Sequence, residues 1–108
     1  MKTIYAAAVL LLATPAFADQ VTFTCELTGG GSHGQDGFDI YASNAGPGDK
    51  TCTAACTVTR QEGGPKTWTY RNVLVREAKQ RFWFGGEAGV QGAPLSDPKL
   101  ETSQTSCN

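Results

Sequence analysis

Aromatic and cationic residues crowd one short stretch of this chain: Trp68, Tyr70, Arg71, Arg76, Arg81, Phe82, Trp83 and Phe84. Such a set recognises rather than reacts. Trp, Tyr and Arg dominate binding hot spots, and an exposed indole also suits stacking on a sugar ring. We read the stretch as a hairpin, with strands over 67–75 and 80–84. In an even register Trp68, Tyr70, Leu74, Phe82 and Phe84 share one face, the expected core. Arg71, Val73, Val75, Arg81 and Trp83 share the other. That second face sets a Trp among two Val and two Arg, the composition of a binding patch. Arg71, Arg81 and Trp83 are therefore the candidate ligand-binding residues. The opposing reading buries Trp83 under the arginine stems. A helix over 72–84 is the rival structure, since Leu74, Ala78 and Phe82 are spaced by four. Val73, Val75, Trp83 and the preceding Trp68-Thr69-Tyr70 favour strands.

The other constellations are weaker. His33 is the sole imidazole, and Ser32-His33 with Asp36 nearby superficially outlines a triad. Triad members need rigid elements to align them, and these three crowd a glycine-rich loop. Asp36, Asp39, Asn44 and Asp49 bracket two loops, and oxygen-rich loops can hold calcium, but the ligand order of an EF-hand is absent. Asp and Asn beside Gly are also ordinary turn formers. Gly29-Gly30-Gly31 lacks the Lys and the helix of a phosphate-binding loop. The carboxylates are too sparse to nominate a glycosidase pair. We assign no catalytic residue, no metal and no cofactor.

Cysteine chemistry here is structural. Cys25, Cys52, Cys56 and Cys107 are an even set in a small chain, which reads as two disulfides. As a zinc site the pattern is poor: Cys-x3-Cys, one distant Cys at each end and one His. Cys52 and Cys56 cannot pair if they share a strand, because four residues at about 3.3 Å each hold them about 13 Å apart. Two pairings remain open. One is Cys25–Cys52 with Cys56–Cys107; the other is Cys25–Cys56 with Cys52–Cys107. No thiol is then left for nucleophilic catalysis.

An oxidising compartment also fits the amino terminus. Lys2, the apolar run Ile4–Leu12 and Ala16-Phe17-Ala18 read as a secretory signal peptide over 1–18, too short to span a bilayer. The mature protein is expected to start at Asp19, in the periplasm or outside the cell. Removing 18 of 108 residues leaves 90, enough for a single β-domain over 19–108 with a marginal core that needs staples. No second long apolar run suggests a membrane span. Without Lys2 the chain has eight basic and ten acidic residues, a net charge of −2. Between 60 and 81 six cations face only Glu62 and Glu77, so the middle is basic on an acidic background. The acidic total argues against general nucleic-acid binding.

These residues must be positioned by strands. Val21-Thr22-Phe23-Thr24-Cys25-Glu26-Leu27-Thr28 alternates strictly, with Val, Phe, Cys and Leu on one face. Phe38–Ala42 and Thr51–Arg60 repeat the pattern, the latter with Cys52, Ala54, Cys56 and Val58 inward. Lys99–Cys107 is expected as a last, mostly polar strand, and Gly85–Gly89 as a break that opens a loop packed down by Ala88, Val90 and Leu95. About six short strands, inward cysteines and Gly/Pro turns give an all-β fold, a small disulfide-stapled antiparallel β-sandwich or partly open barrel.

The function expected is a small exported, non-enzymatic binding module. Its partner is an extracytoplasmic protein, in an inhibitor-like role, ahead of a glycan. The alternatives are a structural envelope protein with every aromatic buried and a small periplasmic hydrolase using His33. An exposed Trp83 favours binding; a pocket around His33 favours the hydrolase.

Overall fold

The computed structural model describes residues 20–29 and 34–108. The signal-peptide reading of 1–18 and the Ser32-His33 pair lie outside the described residues. The described chain is all-β, with seven strands and one 3-10 turn. Alternation in the sequence becomes alternation in burial. In β1 (Val21–Thr28) Phe23 is buried while Thr22, Thr24 and Glu26 are exposed. In β2 (Gly37–Asn44) Phe38, Ile40 and Ala42 are sealed from solvent, and in β3 (Lys50–Arg60) Cys52, Ala54, Cys56 and Val58 are. β4 (Gly64–Val75), β5 (Phe82–Glu87), β6 (Leu95–Leu100) and the two-residue β7 (Ser106–Cys107) complete the set. Among the described residues no helix is long and apolar enough to cross a membrane.

Two antiparallel sheets form, in the orders β1-β2-β5 and β4-β3-β6, with β7 also on β3. Their inner faces meet in one core of Phe23, Phe38, Ile40, Val58, Val75 and Leu95, rimmed by the half-buried Trp68, Tyr70, Phe82 and Phe84. Phe84 sits edge-on to Phe23 and Tyr70, and Phe38 lies 5.0 Å from Trp68.

Strands 67–75 and 80–84 are not a hairpin. β4 pairs with β3, and β5 pairs with β2 in the opposite sheet. The reason lies in the connection. Residues 76–79 form a turn, Lys79 N donating to the Arg76 carbonyl, that is docked on the loop after β2: Glu77 N donates to Asp49 Oδ1, Ala78 N to the Gly46 carbonyl, and Asn44 N to the Lys79 carbonyl. The chain thus crosses between sheets.

A second correction concerns parity. Leu74 was expected in the core with Val73 and Val75 outside; instead Leu74 is 46 % exposed, Val73 half-buried and Val75 buried. The register runs from Ala54↔Tyr70 to Cys52↔Val73, one extra residue on β4. This bulge, with Asn72 in the left-handed region at φ 58°, inverts the inside–outside pattern beyond it. Asn tolerates that conformation better than most residues. The final segment also differs from one strand over Lys99–Cys107. It is β6, a 3-10 turn over Thr102–Gln104, then β7, while β5 continues through Gly85 and Gly86.

The disulfides are Cys25–Cys56 and Cys52–Cys107, one of the two pairings left open by spacing. The first ties β1 to β3 across the sandwich. The second lies within the β4-β3-β6 sheet, where Cys52 and Cys107 are direct partners.

Asn44 is a buried polar residue whose bonds are all made. Its Nδ2 donates to the Gly48 and Val75 carbonyls, and its Oδ1 accepts from Gly46 N and Gln20 Nε2. It therefore joins the end of β2, the following loop and the end of β4. Asn44→Ala strands the buried Val75 carbonyl, so we expect a loss of about 1–3 kcal/mol in urea unfolding. An unchanged midpoint would mean that the network adds nothing.

Candidate functional site

The outer face of the β1-β2-β5 sheet carries the exposed aromatic chemistry. Side chains here point outward because Phe38, Ile40 and Ala42 on the alternate positions of β2 point in. Thr24 pairs with Tyr41, and Tyr41 with Trp83, so the three form one row across the sheet. The next row is Glu26, Asp39 and Gly86, whose glycine adds no side chain. Gly86 has φ 149°, and a Cβ there would drive into the Phe38 carbonyl oxygen. The space diagonal to Trp83 thus stays open for Asp39.

Contacts between the rows fix the patch. Trp83 Nε1 donates to Asp39 Oδ1 at 3.0 Å. The Arg81 guanidinium lies 3.7 Å over the Tyr41 ring and pairs with the Glu26 carboxylate. Trp83 nevertheless remains 59 % exposed. Its indole has its one polar group satisfied and its apolar surface free. Phe82 and Phe84, on either side of it in β5, turn into the rim of the core instead. The parity expected for Phe82, Trp83 and Phe84 is the parity found.

The structure brings Arg81 and Trp83 together but separates Arg71 from them. Arg71 lies on β4, in the other sheet, and lines a cleft on the inner side of β5. The single face joining Arg71, Val73, Val75, Arg81 and Trp83 does not exist, because the hairpin that would carry it does not form. Tyr41, Asp39 and Glu26 take the missing places. Their outward parity was readable along β1 and β2; their nearness to Trp83 depends on the β2–β5 pairing, which joins residues about forty positions apart.

The remaining acidic loop residues are engaged separately. Asp49 accepts from Glu77 N and faces Arg76 at 3.9 Å, while Asp39 serves Trp83. Among the described residues no three His, Cys, Asp or Glu side chains gather as metal ligands. Tyr70, at the cleft, donates its hydroxyl to Glu87 Oε2 at 3.2 Å. Burial and that neighbouring carboxylate hold its hydroxyl above the ordinary tyrosine range. Comparison with protein-family models, curated proteins and solved structures returns no match for this chain.

Proposed function

We propose that this protein is an exported, non-enzymatic binding module that recognises a partner protein in an inhibitor-like manner. Its working surface is the outer face of the β1-β2-β5 sheet, with Trp83 as the anchor and Arg81 and Tyr41 beside it. The observation that carries this reading is a Trp that is more than half exposed yet fixed by a bond to Asp39. A large ring already held on a strand loses little freedom when a partner covers it, so most of its contact energy survives as affinity. Trp, Tyr and Arg are also the side chains most enriched at binding hot spots. A purely structural role supplies no reason to leave the indole outside. Two disulfides and the leader-like start of the sequence support an extracytoplasmic location.

The test uses the two tryptophans. In Trp68→Phe the tryptophan emission comes from Trp83 alone. Acrylamide is expected to quench it readily in the free domain and poorly once a protein captured from cell-envelope extract is bound. Unchanged quenching in the complex would move the interface off this face. Competition by soluble glycans, rather than by the purified protein, would transfer the same surface to a carbohydrate partner.

A further inference from the structure

We infer that the cleft between β4 and β5 takes an extended, acidic segment of a partner protein, laid along the open side of the sandwich. The two sides of the molecule differ. On one, β1 packs against β6, and Cys25–Cys56 ties β1 to the opposite sheet. On the other, β4 and β5 are the edge strands, and between them lies a cleft of about 490 Å³. Phe82, Phe84 and Tyr70 line it, half-buried, together with the exposed Leu74 and Arg71. The rim of the core is therefore open along this side.

Backbone chemistry makes the occupant extended. An edge strand presents one row of N–H and C=O groups that its own sheet does not use. Among the described residues no turn or loop backbone bonds to β4 or β5, so neither row is covered that way. A strand-like segment can bond to such a row while its alternate side chains enter the cleft, the mode of strand addition.

Charge makes it acidic. Arg71 lines the cleft and has no carboxylate within ion-pair distance among the described residues. Lys79 lies 5.4 Å over the Phe82 ring. Arg76, on the turn between the strands, faces only Asp49, at 3.9 Å. No Asp or Glu is among the described residues lining the cleft, and Glu87 beside it accepts the Tyr70 hydroxyl. A second copy of this chain fits poorly, because laying its β4 edge on this one would set the Lys66 and Arg71 of each copy against those of the other. Like charges opposed across a strand pair are destabilising, whereas a carboxylate there is attracted. This surface is separate from the Trp83 face.

The probe is a fluorescein-labelled decapeptide of alternating Glu and Val, compared with its Lys and Val counterpart, titrated into the oxidised protein at low salt. The acidic peptide is expected to bind at least about tenfold more tightly, with amide shifts along 69–74 and 82–86. Arg71→Glu should weaken it by about tenfold or more, whereas Trp83→Ala should leave it unchanged. Absence of acidic-peptide binding, equal affinity for both peptides, or Arg71→Glu binding as wild type does would overturn the assignment. So would a dimer of this chain that buries the cleft.

Discussion

Phe38→Ala is expected to cost roughly 3–5 kcal/mol, a large share of the roughly 5–15 kcal/mol available to a small domain. Phe38 is fully buried on the central strand of its sheet, paired with Leu27 on one side and Glu87 on the other. Its ring meets Trp68 of the opposing sheet at 5.0 Å. Neighbouring strands are held in register by their ladders, so the cavity cannot collapse fully. The Phe38 carbonyl is already approached by Gly86, which limits backbone movement there. Urea unfolding with the disulfides intact measures the loss. Thr22→Ala, on the exposed face, is the control and should shift stability by less than about 0.5 kcal/mol. A cost below about 1 kcal/mol for Phe38→Ala would remove it from a packed core.

Loss of Cys25–Cys56 through a Cys25→Ala/Cys56→Ala variant should be comparably severe. A bridge closing a separation of 31 residues removes about 4 kcal/mol of freedom from the unfolded chain on the entropy account. It is the covalent link between the two sheets, so its loss reaches the whole sandwich. Cys52–Cys107 differs in consequence. It anchors β7, two exposed residues at the chain end, to β3. Its separation of 55 residues also removes about 4 kcal/mol from the unfolded chain, but without it amides over 101–108 should lose protection first and furthest. Hydrogen exchange on the two double variants separates these outcomes. Faster exchange confined to the chain end in the Cys25/Cys56 variant would contradict the cross-sandwich role.

How far the sequence revealed this molecule depends on the range of each interaction. β1 was legible to the residue, because strict alternation over Val21–Thr28 is a local signal. The inward cysteines of β3 were legible for the same reason, and strand geometry correctly excluded a Cys52–Cys56 bridge. Choosing between the two remaining pairings required knowing which strands face each other. Leu74 was misplaced because alternation was carried through Asn72, where a bulge resets it. An Asn between strand formers is a trace of that turn in the backbone, but not a sufficient one. The hairpin failed because adjacent strands were assumed to pair, whereas residues 76–79 bond to the loop at 44–49. Two of the three candidate residues come together, Arg81 just before β5 and Trp83 within it, while placing Arg71 beside them depended on the hairpin.

The proposed binding role of the outer sheet face rests on Trp83. Trp83→Ala removes an exposed ring and one cross-strand pair with Tyr41, so the melting curve should shift by less than about 1 kcal/mol. Affinity for the protein captured by the wild-type oxidised domain should fall by 2 kcal/mol or more, roughly thirtyfold, if the ring is a hot spot. The decisive measurement is that affinity, made beside the melting curve on the same preparation. Lost binding with retained folding is the expected result. Wild-type affinity in Trp83→Ala, or a loss of folding as large as that of Phe38→Ala, would contradict it.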